Sequence, residues 1–89
     1  MKNKNIIYNQ LEELLFSLGF IPVETKGNHK VYSHPNSKAL ILLPNYQSTD
    51  RLNLVHYLAI RRTLKEYDLM DEMTYENWFD TKIKIYQNQ

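Results

Sequence analysis

The sequence predicts a small α+β domain: a helix, a three-stranded antiparallel meander and a second helix, followed by a short C-terminal extension. Three observations carry this. An apolar stripe at helical spacing opens the chain, three β-rich runs follow with turn residues between them, and a long capped segment rich in apolar positions comes next. At 89 residues there is room for one compact domain. Its core is expected over about residues 6–67, with residues 68–89 as the extension.

Each element has a local reason. Ile7, Leu11, Leu14, Leu15 and Leu18 recur on one helical face, with Asn9, Gln10, Glu12, Glu13 and Ser17 elsewhere. Asn3 or Asn5 is the candidate cap, and Gly19 suits the left-handed residue just past the helix end, with Phe20 folding back. Phe20–Lys26 reads as a strand whose Pro22 marks an edge position. Gly27-Asn28 reads as a two-residue turn, His29–Ser33 as the returning strand, and His34-Pro35-Asn36-Ser37 as a second turn. Ala39–Leu43 is the third strand, ended by Pro44. Ser48, Thr49 or Asp50 is placed to cap a second helix from about Arg51 to Tyr67. The apolar residues of that helix spread widely enough to predict burial on two sides, by the sheet and by the tail or a second subunit. Thr74–Phe79 reads as a short capped helix docking Trp78 and Phe79, and Thr81–Tyr86 alternates like an edge strand.

Composition is that of a soluble globular protein, with 43% hydrophobic and 24% charged residues. There are no cysteines, which excludes disulfides and thiolate chemistry and fits a reducing compartment. With no signal-like apolar core and no long apolar run, the expectation is a soluble, cytoplasmic protein. A net charge of +1 hides an asymmetry. Residues 1–65 carry nine Lys/Arg against four acids, while residues 66–89 carry six acids against Lys82 and Lys84. A basic body suits a polyanion, and an acidic tail suits that body or a basic partner; a solvated surface of scattered charge is the plainer reading.

The element order, with Gly27-Asn28-His29-Lys30-Val31-Tyr32-Ser33-His34-Pro35 at its centre, resembles the HicA family of bacterial toxins. The residues that carry the resemblance are Leu18-Gly19-Phe20, Gly27-Asn28-His29, Val31-Tyr32, His34-Pro35 and Leu42-Leu43-Pro44, within residues 7–65. Asn28 stands where that family most often has Ser, and Asn45-Tyr46 follows Pro44 where a second His is common. The resemblance implies a double-stranded-RNA-binding-like fold, with the helices on one face of the sheet. It also implies an mRNA interferase, a ribonuclease acting on mRNA and paired with a HicB-type antitoxin, with His29 as the catalytic residue.

Histidine suits proton transfer at neutral pH, and RNA is cleaved without a metal when the 2′-hydroxyl is deprotonated and the leaving 5′-oxygen protonated. A two-residue turn would set Lys26 opposite His29 and Glu24 opposite Val31 on one side of the hairpin. Lys26 would then grip phosphate, and Glu24 would orient the imidazole. Lys30 points the other way and is a candidate backbone contact. Arg61 and Arg62, with Arg51 and Lys65, are candidate phosphate contacts on the second helix, although cations near a helix C-terminus also stabilise its dipole. Lys26 and Lys30 read equally as solvated edge charges. His34 reads as structural and His56 as a surface or interface residue. No His/Asp/Glu spacing matches a zinc site, and no phosphate loop, nucleophile elbow or dinucleotide fingerprint is present, so no metal or cofactor is expected. Two further classes stay open: a non-catalytic RNA-binding domain and a partner-binding module. The acidic tail reads either as an electrostatic brake on the basic body or as a structural cover docked by its aromatics.

Overall fold

The computed structural model describes residues 5–87, with side chains described through residue 80. Among these, the order is α1 (Tyr8–Ser17), β1 (Ile21–Val23), β2 (His29–His34), β3 (Ala39–Pro44), α2 (Leu54–Glu66) and α3 (Glu72–Gln87). It is a small α+β domain with a three-stranded antiparallel sheet, ordered β1-β2-β3.

Helix α1 begins at Tyr8 because its first N–H groups find acceptors in the connection before α2. Tyr8 N–H bonds Asp50 O at 2.7 Å and Asn9 N–H bonds Ser48 O at 3.0 Å. The Gln10 carboxamide accepts from Ile7 N–H at 3.0 Å. These contacts satisfy donors that a helix start leaves orphaned. The cap is therefore Ile7, not Asn5, while Asn3 lies outside the described residues. Ile7 itself faces outward, and Ile6 takes the buried position. The helix ends as predicted: Gly19 has φ +101°, with Gly19 N–H on Phe16 O and Phe20 N–H on Leu15 O. A Cβ at Gly19 would also meet His34 Nε2 at 3.3 Å.

The strands β2 and β3 alternate cleanly. Tyr32 and His34 on β2, and Ala39, Ile41 and Leu43 on β3, are buried against the helices. His29, Val31 and Ser33 occupy the opposite face with Leu40, Leu42 and Pro44. Strand β1 is shorter than expected and lies at an edge, where Pro22 is tolerated.

Helix α2 starts at Leu54, three residues later than predicted, capped by Asn53 Oδ1 accepting from Val55 N–H at 2.8 Å. Its width has the expected cause: α2 packs against both β3 and α3. Tyr57, Ile60 and Leu64 are buried, whereas Val55 is 69% exposed. The end of α2 repeats the α1 geometry with Asp68 in the left-handed role (φ 55°), Asp68 N–H on Lys65 O and Leu69 N–H on Leu64 O.

One expectation for the tail is corrected. Residues 81–86 continue α3 and form no strand. Six alternating residues fit either period, and α3 runs on from its Asp71 cap with no Gly or Pro to stop it. The Asp71 carboxylate, accepting from Thr74 N–H at 2.7 Å, is held below the usual carboxylate range by its backbone and side-chain bonds to Thr74. The fully buried pair is Tyr75 and Phe79, one turn apart, with Trp78 only partly covered. Tyr75 donates to Tyr57 O at 2.8 Å, and its ring packs on Tyr57 and Phe79. The Tyr57 hydroxyl is buried with no hydrogen-bond partner among the described residues, and desolvation pushes its pKa up to about 12.

Two stability outcomes follow from these geometries. Asp68→Gly relieves a left-handed non-glycine residue and removes an acid from a helix C-terminus. It should raise unfolding free energy by about 1 kcal/mol in urea titrations. Tyr57→Phe removes an orphaned buried hydroxyl, whose cost is roughly 1–3 kcal/mol, and should raise the thermal midpoint.

Candidate functional site

The Gly-Asn-His segment lies at the start of β2, on the rim of the sheet's uncovered face. His29 is exposed there and pairs in register with Pro44. Its ring lies against Gly27, where a Cβ would stand 2.7 Å from Cε1 and 2.9 Å from Nδ1. Any larger residue at position 27 must displace the imidazole. Gly27 and His29 therefore act as one unit, with Asn28 as the bend between them.

The predicted partners of His29 are not where a two-residue turn would put them. Val23, not Glu24, pairs with Val31, and Pro22 pairs with Tyr32. Continued outward, that register sets Thr25 opposite His29, and the Thr25 hydroxyl donates to His29 O at 3.0 Å. Residues 24–28 form a five-residue connection in place of the tight turn. Lys26 and Glu24 sit in it as exposed residues, and neither faces His29 across the ladder. A one-residue shift in pairing moves every side chain to the other face, which is why both expected pairings fail together.

Lys30 lies on the side of β2 opposite His29, with its Nζ 5.1 Å from the centre of the Tyr8 ring. Tyr8 stacks on Tyr46 with ring centres 5.1 Å apart. On its other side Tyr8 joins a buried hydroxyl chain, in which Tyr32 donates to Glu12 Oε2 at 2.5 Å and Tyr8 bonds the Tyr32 hydroxyl. Burial raises both phenols, Tyr8 to about 12 and Tyr32 further, so both are protonated donors at neutral pH. His34 is a strut. Its Nε2–H donates to Leu18 O at 2.8 Å, and Nδ1 accepts from Ser37 N–H and from the Ser37 hydroxyl.

Arg61 and Arg62 lie on α2 beside α3, bordering an open groove of about 790 Å³ whose lining includes Leu58, Ala59 and Lys65. Both arginines lie in the C-terminal half of α2. Arg61 Nη1 meets Glu76 Oε2 at 2.5 Å, and Lys65 meets Glu72 at 3.6 Å. Arg51 precedes α2 in a lone bridge with Ile7. The acidic side of α3 thus compensates the basic side of α2. Tyr75 and Phe79 are fully buried, so α3 covers apolar surface of the core.

Sequence reasoning missed the Tyr46–His56 pair. The Tyr46 hydroxyl bonds His56 Nδ1 at 2.6 Å and accepts from Asn53 N–H at 3.0 Å. Only the fold brings these residues together, and no spacing in the chain announces it. Among the described residues no three His, Asp or Glu side chains converge as a metal site, and no helix is long and apolar enough to cross a membrane. Comparisons with protein-family models, curated proteins and solved structures give no match to this chain.

Neutralising Glu76 tests whether the α2 ridge meets a polyanion. Glu76→Gln should tighten binding to single-stranded RNA a few-fold at low salt and steepen the salt slope by up to about 1, as Arg61 becomes free for phosphate. Equal binding by both proteins would show that the ridge makes no such contact.

Proposed function

We propose that this protein is a HicA-like toxin: a metal-independent endoribonuclease that cleaves mRNA, with His29 as general acid/base, restrained in the cytoplasm by a HicB-type antitoxin. The reading adds to the observed α+β layout a finer one, a double-stranded-RNA-binding-like arrangement with the helices on one face of the sheet. The observation that carries it is His29 itself. It is exposed at the rim of the uncovered face, in a Gly-x-His segment whose glycine leaves room for the ring. An imidazole so placed can take a proton from a 2′-hydroxyl, or give one to a leaving oxygen, without first leaving the core. Lys26, exposed in the connection that leads into His29, offers a cation for phosphate, and Lys30 on the opposite side of β2 and Arg61 and Arg62 on α2 are further candidate contacts.

The uncovered sheet face supports the antitoxin part of the reading. Leu40 and Leu42 are 53% and 60% exposed, and Ile21 and Val23 lie across the sheet from them on the same face. A continuous apolar patch on a small domain marks a surface that a protein covers. A partner seated there would also shield His29 at the rim. The same patch favours the second reading, a module of this fold that binds a partner and cleaves nothing.

Inducing the wild-type chain and His29→Ala side by side separates the two. Growth arrest with loss of mRNA integrity for wild type alone is expected. Arrest by both, or by neither when both are folded, would remove His29 from the chemistry.

A further inference from the structure

The rim where His29 sits holds a second side chain with no role assigned so far. The peptide carbonyl of His29 has no main-chain donor on either side. Pro44, its register partner on β3, carries no N–H, and β1 ends at Val23, short of the position opposite His29. The Thr25 hydroxyl takes that place, donating to His29 O at 3.0 Å. Among the described residues no other hydrogen bond ties residues 24–28 to the rest of the chain. Thr25 is correspondingly half-buried, whereas Glu24, Lys26, Gly27 and Asn28 are exposed.

Two contacts on His29 thus come from one short segment. Thr25 holds its carbonyl, and Gly27 lies against its ring, where a Cβ would stand 2.7 Å from Cε1. From Lys30 onward the strand is fixed by its pairing with β3. Pinning the carbonyl sets the ψ angle of His29, and staggered side-chain torsions then leave few directions for the imidazole. The direction taken is the one against Gly27. Without the hydroxyl bond, residues 24–28 keep no hydrogen bond that would hold Gly27 beside the ring.

We propose that Thr25 is a positioning residue for His29: its hydroxyl stands in for the missing ladder donor and so holds the imidazole against Gly27. The consequence for RNA cleavage rests on the ribonuclease reading, whereas the placement of the ring does not. Thr25 takes no part in proton transfer. It contributes orientation, which acts on the rate of the chemical step more than on substrate binding.

Ring placement is read by NMR on the full chain, from the nuclear Overhauser contact between Hε1 of His29 and the α-protons of Gly27. Thr25→Val keeps the shape of the side chain but removes the donor, and should weaken that contact. Thr25→Ser keeps the donor and should retain it, and Thr25→Ala, a second donor-free variant, should behave as Thr25→Val. On an RNA substrate Thr25→Val should lower kcat about tenfold with little change in KM, and Thr25→Ser should restore it to within about twofold. Gly27→Ala should lower kcat likewise and add little to Thr25→Val, because both displace the same ring. Folded donor-free variants that keep either the contact or the kcat of wild type would overturn the proposal and leave the ribonuclease reading intact. Equal losses in Thr25→Val and Thr25→Ser, or no such contact in wild type, would overturn it too. If the contact is lost in Thr25→Val and kept in Thr25→Ser while wild type cuts no RNA, the positioning role stands and the ribonuclease falls.

Discussion

Tyr32 at the middle of the central strand governs the placement of everything else. Its ring is buried and its hydroxyl is tied to Tyr8 and Glu12 of α1, so β2 has one permitted face toward the helices. An unsatisfied phenol there would cost about 1–3 kcal/mol, and the carboxylate of Glu12 makes the bond charge-assisted. Because strand side chains alternate with period two, an inward Tyr32 forces His34 inward and His29, Val31 and Ser33 outward. His34 then reaches Leu18 O and locks the second turn, while His29 is left at the open rim. One buried hydroxyl chain thereby decides which of the two β2 histidines is a strut and which is exposed.

The two sides of the sheet are finished differently. The inner side is closed by α1 and α2, and α2 is closed in turn by α3, whose Tyr75 and Phe79 pack against Tyr57. The basic and acidic halves of the chain meet at that seam, where Arg61 pairs with Glu76 and Lys65 with Glu72. These are partly or largely exposed pairs worth about 0–1 kcal/mol each, so aromatic burial and not charge holds α3 in place. The outer side has no such cover, and its exposed leucines and valine stand beside the most accessible histidine.

Much of this was legible in the chain. The α1 stripe, the Gly19 stop, the alternation of β2 and β3 and the two-sided face of α2 all follow from local pattern. The pairing of β1 did not, for a physical reason: all three of its residues are exposed, so no buried face selects one register over the next. Gly27-Asn28 carried a turn signal, but the chain uses it as a bend within a longer connection. Thr81–Tyr86 alternates within a helix because six residues underdetermine the period. At the candidate site, Gly27, Asn28 and His29 are visible as neighbours in sequence. Lys30 over Tyr8, and Tyr46 on His56, are contacts across the fold that only the assembled sheet and helices create.

The burial of Tyr75 and Phe79 also sets an order in time. A ribosome delivers α1, the sheet and α2 before either aromatic, so the emerging chain carries Tyr57 with its packing partners still unmade. Until α3 docks, the apolar seam of α2 is open to solvent as well as the outer face of the sheet. Covering of the α2 seam thus waits for α3: the nascent chain already carries the Gly-Asn-His segment while Tyr57 still lacks its ring partners. Chaperones and partners that read apolar surface meet a different molecule before and after that moment.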